Sequence, residues 1–296
     1  PMKYIPGSIL ALSLALTILS CDKIEEPYLR AGIVPPDTSA CPVPEFPALT
    51  APVQRVLLED FTGHTCPNCP GAAVLAHDLL EQYNGRLVLM AVHAGYFAEP
   101  RGEPFTPDFR TAAGTELDLF FGVGLVGNPN GMINRKGYSD AHVIGPDDWA
   151  AEVAAEMAGA PIINMQVVTV YTPEERKLCT HVRSVFLDDI ERHFKLAAFI
   201  TEDSIVSWQK NNDPSVGPTP DIEGYVHMHM LRAGITGTWG IDLTSADTLT
   251  AQGQEIITSV PYQLSEDWRT RHCRVVVMIY DAENYKVVQV GEASVL

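Results

Sequence analysis

The sequence predicts an α/β domain followed by an all-β sandwich. Three observations carry that expectation. A strand, helix and strand surround a single CxxC in the first half, and alternating or β-branched runs dominate from about residue 161. The pattern changes over residues 158–161, which sets the expected boundary. The chain of 296 residues has length for about two domains. Its 46% hydrophobic and 19% charged content is that of a folded protein. A net charge of −17 argues against nucleic acid and anionic lipid head groups as partners.

The N-terminus reads as an export signal. Lys3 precedes an apolar run from Ile9 to Leu19, too short to span a bilayer, and Ser20-Cys21 comes directly after it. A small residue before a cysteine at that point resembles the bacterial lipoprotein signal. The resemblance implies a signal peptide over 1–20, lipidation of Cys21 and attachment to a membrane by lipid alone. An ordinary signal peptide with an incidental cysteine is the alternative. "CDKIEEP" is similar to the tethers of surface-directed lipoproteins in Bacteroidetes. Residues 21–47 are Pro-rich, with Pro27, Pro35, Pro36, Pro42 and Pro44, and read as an extended spacer. The chain beyond the signal is then extracytoplasmic, where disulfides persist.

Six cysteines are present. With Cys21 assigned to lipid and Cys66 to Cys69, an odd remainder of Cys41, Cys179 and Cys273 means at least one thiol is free or paired only transiently. Cys179 and Cys273 both fall in strand-like stretches and are the expected structural disulfide. Structural zinc prefers two CxxC pairs or one with spaced histidines. The single CxxC therefore predicts no metal, and no nucleotide or phosphate fingerprint implies a cofactor.

"RVLLEDF", 55–61, is an apolar run of strand length. "PGAAVLAHDLLEQYNG" then spaces Val74, Leu75, Leu79, Leu80 and Tyr83 along one helical face, with Asn84-Gly85 as its stop. "RLVLMAVHAG" reads as a second buried strand, so the three elements form a right-handed, parallel βαβ unit. The cysteines occupy its strand-to-helix loop. A thiolate at a helix start meets unpaired N–H groups and partial positive charge. Its pKa falls from about 8.5 into the range of roughly 3.5–7.5. Cys66 is the expected exposed nucleophile at that start, and Cys69, one turn deeper, the resolving thiol. An inert CxxC disulfide is the alternative.

These residues resemble the thioredoxin-like superfamily over 48–160. "LLEDFTGHTCPNC" matches its strand and active-site loop, with Asp60 six residues before Cys66. The resemblance implies a central mixed sheet flanked by helices and a buried acid at Asp60 that takes a proton from the second cysteine. Glu59 is the rival for that role. "FGVGLVGNPNGMINRKG" is similar to the family's later segment, which implies that Pro129 is cis and packs against the disulfide. Asn128 would then offer backbone contacts to a bound peptide. "PDDWAAEVAAEMAG" would close the domain as a helix with Trp149, Val153 and Met157 on one face. Departures are Thr65 in place of tryptophan, Pro-Asn between the cysteines, and His93 where no family lysine matches. Residues 95–124 form an insertion with a helix expected around 109–121.

Residues 161–296 carry the expected sandwich strands "IINMQVVTVY", "LCTHVRSVFLDD", "FKLAAFITED", "YVHMHML" and "CRVVVMIYD". His227 and His229, two apart on a strand, would share one face. Metal binding there needs a third ligand such as His181, His193 or His272; surface or hydrogen-bonded core positions are the plainer reading. "ITEDSIVSWQ" and "EGYVHMHMLRAGITGTWGIDL" resemble lipoproteins related to the 28-kilodalton outer-membrane protein of Bacteroidetes. The expectation is thus a lipid-anchored cell-envelope lipoprotein, at the outer membrane, that exchanges protein thiols and disulfides. The rival is a non-enzymatic surface binding or adhesion module with an unknown partner, its CxxC a staple.

Overall fold

The computed structural model describes residues 41–296. The expected signal peptide, the expected lipidation site Cys21 and most of the expected spacer lie outside the described residues. The predicted βαβ unit is present as β1 (Val56–Thr62), α1 (Cys69–Tyr83) and β2 (Leu87–His93). β1 and β2 are parallel, in register from Val56 with Leu87 to Thr62 with His93. Helix α1 begins at Cys69 rather than Cys66, with Pro70 in its first turn, where a missing N–H costs nothing. It ends at Asn84, whose left-handed φ of 37° lets its N–H return to Leu80 O.

The insertion supplies α2 (Ala112–Phe121), and α3 (Val123–Val126) follows across its end. The Thr111 hydroxyl caps α2 by accepting the Gly114 N–H at 2.9 Å. Strand β3 (Asn130–Ile133) pairs antiparallel with β1, and α4 (Pro146–Met157) comes next. Trp149, Val153 and Met157 of α4 are all buried, as their spacing predicts. Trp149 also donates its indole N–H to Ile144 O at 2.9 Å. Truncating such a side chain to alanine typically costs roughly 3–5 kcal/mol.

Beyond residue 160 the chain is almost all strand. It contains β4 (Ile163–Thr172), β5 (Lys177–Phe186), β6 (Phe194–Glu202), β7 (Ile205–Lys210) and β8 (Asp221–His227). Then come β9 (Met230–Gly234), β10 (Ile241–Asp242), β11 (Glu255–Gln263), β12 (Cys273–Asp281) and β13 (Val287–Ser294). The strands form three sheets. The large one is mixed and eight-stranded, in the order β13-β12-β6-β9-β2-β1-β3, with β10 on β6. The others are β11-β5-β4 and the ribbon β7-β8. One sheet thus holds strands from both sides of residues 158–161.

Alternation along the strands divides the core. Leu57, Phe61, Val92, Phe199 and Met278 share one face of the large sheet with Leu117 and Phe121 of α2. On the other face, Val56, Leu58 and Leu89 pack under α1 and α4. Farther along, Leu196, Ile200 and Val277 pack against Ile163, Leu178 and Val182 of the three-stranded sheet. Period-two burial of this kind fixes register, because a one-residue slip would turn each apolar set outward.

The expected Cys179–Cys273 disulfide is not formed. Cys179 bonds to Cys41, 138 residues away, and Cys273 is a free, buried thiol. The pleat explains the difference. Leu178 and Val182 of β5 face the core, so Cys179 faces outward, whereas Cys273 belongs to the core itself. The outer face of β4–β5 is where the end of the Pro-rich segment runs. There Asn164 donates to Thr50 O at 3.0 Å, and Gln166 donates to Pro47 O and Ala48 O at 3.2 Å. Burial, with Glu202 nearby, pushes the Cys273 thiol up to about 12. A cross-link over so long a loop restricts the unfolded chain strongly. Cys41→Ser is expected to lower the unfolding free energy by about 2–4 kcal/mol, measured by urea denaturation.

Candidate functional site

The candidate site gathers at the end of β1 where the chain turns toward α1. Gly63 makes that turn possible: a Cβ there would lie 2.3 Å from the backbone carbonyl carbon and oxygen of Phe97. The same carbonyl accepts the Thr65 N–H at 3.0 Å and the Thr65 hydroxyl at 2.8 Å. Thr65 thus ties the loop to the segment around Phe97. Cys66 and Cys69 are joined as a disulfide.

Cys66 is not the exposed nucleophile the spacing predicts. It has no exposed surface and Cys69 has 2%, while Asn68 between them is exposed. The cover is the β7–β8 ribbon. Lys210 N donates to His64 O at 2.9 Å and Asn212 N donates to Pro67 O at 2.8 Å. The Gln209 side-chain amide donates to Cys66 O at 2.9 Å and is itself buried. Three carbonyls of the CxxC loop are thereby satisfied by a segment more than 140 residues away, as the Gln209–Cys66 separation of 143 shows.

The ribbon owes its place to the large sheet. β7 continues from β6, and β8 runs into β9, across breaks of two residues each. Each break holds a non-glycine residue at positive φ, Ser204 at 60° and His229 at 54°. Asp203 steadies the second by accepting the His229 N–H at 2.7 Å. His227 and His229 therefore do not share a strand face: His227 is buried at the end of β8, and His229 sits in the break beside Asp203.

Asp60 and Glu59 are separated by the same pleat. Glu59 points to the α2 face, where it forms a fully buried bidentate pair with Arg135 at 2.8 and 2.7 Å. That pairing removes it as the proton carrier. Asp60 faces α1 and the ribbon, and burial without a paired cation pushes its carboxyl up to about 7. Its Oδ1 has no hydrogen-bond partner within the protein.

Three buried histidines complete the surroundings. His64, His93 and His227 stand around Phe109, with ring centroids 5.4, 5.5 and 5.3 Å from it. Burial holds all three neutral, His93 well below its usual range and His227 pushed down to about 4. Phe105 and Phe109 come from the insertion, so insertion and ribbon enclose the CxxC loop from two sides. Among the described residues no three His, Cys, Asp or Glu side chains converge as a metal-ligand set.

The Asn128–Pro129 peptide is cis, and both residues are partly exposed. Asn130 pairs with Phe61, so Pro129 lies level with Thr62, at the same end of the sheet as the disulfide. The structure therefore assembles Cys66, Cys69, Asp60 and the Asn128-Pro129 step at one sheet end. Cys179 and Cys273 belong elsewhere. Sequence reasoning missed Gln209, His64 and Phe109. A glutamine in "SWQK" carries no local signal, because its role exists only once β7 lies over the loop.

Comparison with known proteins supplies the family. The model for outer membrane protein Omp28 matches residues 120–295. The chain belongs to the Omp28 family. No curated protein sequence matches it. Among solved structures, HBP35 of Porphyromonas gingivalis superimposes with a TM-score of 0.61 at 18% identity, over 82% of this chain and 76% of that one. A domain of the outer membrane lipoprotein Omp28 from Porphyromonas gingivalis aligns at 16% identity. That match covers 46% of this chain and 88% of the other, with a TM-score of 0.31. HBP35 thus shares the fold, and the family places the chain among outer-membrane proteins of the cell envelope.

This geometry has two measurable consequences. Because the folded pKa of Asp60 lies above its unfolded value, the fold binds an extra proton between about pH 4 and 7, and Asp60 costs stability as pH rises. His227, depressed to about 4, costs stability in the other direction, as pH falls from 6.5 toward 4, because only the unfolded chain takes up its proton there. Asp60→Asn should therefore gain stability relative to the parent as pH rises from 4 to 7, by up to about 4 kcal/mol, in denaturation series at each pH. Gln209→Ala should speed reduction of Cys66–Cys69 by dithiothreitol by roughly tenfold, read by thiol alkylation and mass spectrometry.

Proposed function

We propose that this Omp28-family chain is a lipid-anchored envelope lipoprotein, tethered at Cys21, whose Cys66–Cys69 pair exchanges thiols and disulfides with extracytoplasmic proteins. In this reading residues 48–160 are a thioredoxin-like unit and 161–296 contribute a β-sandwich. The observation that carries it is Asp60: a buried carboxyl pushed up to about 7, its Oδ1 unpartnered, on the strand that runs into the CxxC loop. A purely structural staple has no use for such a group, which costs stability and adds nothing to packing. Ala73, one turn after Cys69 in α1, lines the same cleft as Asp60.

The chemistry balances from the oxidised pair. A substrate thiolate attacks Cys66 Sγ, the Cys66–Cys69 bond breaks, and Cys69 leaves as a thiolate that Asp60 protonates. A second substrate thiolate then displaces Cys66, leaving a substrate disulfide and the reduced pair. Two electrons pass from substrate to protein, and the reverse sequence reduces a substrate disulfide. Asn128 and Pro129, level with the loop, border the groove a substrate strand would take. Because Cys66 is covered, the β7–β8 ribbon must lift before attack.

A second reading rests on that cover. A disulfide with no exposed sulfur, bound on three carbonyls by the ribbon, fits a staple in a non-enzymatic surface binding protein. Trapping decides between them. Cys69→Ser in the full chain, mixed with envelope extract, is expected to yield mixed disulfides that vanish in Cys66→Ser. No trapped partner, with a glutathione-titrated potential below about −300 mV, would establish the staple.

A further inference from the structure

Between α1 and β8 the surface opens into a cleft of about 240 Å³. Its rim is apolar and solvent-facing, with Val74, Val226 and Met228 all exposed. Ala73, Ala76 and Ala91 leave the space, since a small side chain at each position fills little of it. Asp60, His93 and His227 line its buried part, each less than a tenth exposed. Their polar atoms lack partners within the protein: Asp60 Oδ1, both ring nitrogens of His93, and His227 Nε2. Buried polar groups are otherwise nearly always hydrogen-bonded, and leaving them unpaired is costly. Their convergence on one cleft with an apolar mouth is the arrangement of a small-molecule site.

The geometry points to a binding site for a small uncharged molecule, a one- or two-ring aromatic body bearing a hydroxyl group. Size sets the body. A dry cavity of about 150 Å³ accepts benzene, so 240 Å³ admits a second fused ring. Aromatic edges favour a flat ring, since His93 and His227 already meet edge to face at 5.4 Å and Tyr225 meets His227 at 4.8 Å.

The polar end is set by the histidines. His227 makes a backbone hydrogen bond at Trp208, and Nε2 is its unpartnered nitrogen. In the neutral ring Nδ1 then carries the proton toward the Trp208 carbonyl, and Nε2 is a bare acceptor that requires a donor. Neutral His93 has one N–H and one acceptor nitrogen to offer. A hydroxyl meets both needs, donating to His227 Nε2 while accepting from His93. A methyl ether does not. An anion is disfavoured by the Asp60 carboxyl, and no lysine or arginine lines the cleft to balance it.

This inference does not depend on whether the disulfide is exchanged, and it is tested on the full chain with Cys66–Cys69 intact. Calorimetric titration at neutral pH with 2-naphthol, 2-methoxynaphthalene and 2-naphthoate separates the contributions. Saturable one-site binding of 2-naphthol, tighter than about 1 mM, is expected. The ether should bind roughly tenfold more weakly and the carboxylate not measurably. Ala73→Phe, at the half-buried wall of the mouth, should abolish 2-naphthol binding with the thermal midpoint unchanged. Should that variant not fold, His227→Phe keeps the ring shape and is expected to erase the preference for naphthol over its ether. Absent naphthol binding by the parent chain, equal affinity for the ether, or measurable naphthoate binding would each overturn the proposal. So would retained binding in folded Ala73→Phe.

Discussion

The structure depends on where β9 enters the large sheet. Met230 pairs with Ala91 of β2 in parallel, while β9 pairs antiparallel with β6 on its other side. Through that strand the βαβ unit and the later strands share one hydrogen-bonded surface. Because β6 and β9 are neighbours, the chain between them must leave the sheet and return beside itself, so a two-stranded ribbon is the natural connection. Left-handed residues at Ser204 and His229 turn it out of the sheet. It lands on the CxxC loop.

That landing changes the chemistry of the loop. The thiol environment expected of a CxxC at a helix start is exposed and electropositive. Here the ribbon supplies backbone and amide donors to the carbonyls of His64, Cys66 and Pro67, and the insertion adds Phe105 and Phe109. Excluding water in this way has one consistent electrostatic consequence. Burial holds His64, His93 and His227 neutral and raises Asp60 to about 7, so the charge this group of four titratable side chains carries near neutral pH is only the partly ionised Asp60 carboxyl. The buried charge that does persist, Glu59 with Arg135, lies on the opposite face of β1. It is kept by two short hydrogen bonds and by the Phe121 ring 5.0 Å from the guanidinium.

Much of this architecture is legible in the sequence. The 3.6-residue spacing of Leu75, Leu79 and Leu80 and the two flanking apolar runs specify the βαβ unit, and Trp149, Val153 and Met157 specify α4. The strands of the second half are legible for the same reason, since period-two burial is written locally. What periodicity does not encode is which strands become neighbours. After α4 ends at Met157 the chain turns to strands, yet the large sheet joins strands from both sides of 158–161. The Cys179–Cys273 expectation failed on a detail of the same kind: both cysteines lie on strands, but only the pleat decides that one faces outward and the other into the core.

By itself the sequence determined the placement of Cys66 and Cys69 in a strand-to-helix loop, with Asp60 on the strand before it and a cis proline at 129 on the same sheet end. These come from local patterns and from resemblance carried in short segments. Tertiary structure alone decided that the disulfide is covered, that Glu59 is paired while Asp60 is not, and that three histidines distant in the chain stand around one phenylalanine. The physical reason is that burial and pairing depend on contacts across 143 residues for Gln209 and Cys66, and across 76 for Glu59 and Arg135. Local propensity carries no record of such contacts, so the state of the disulfide had to be read from the fold.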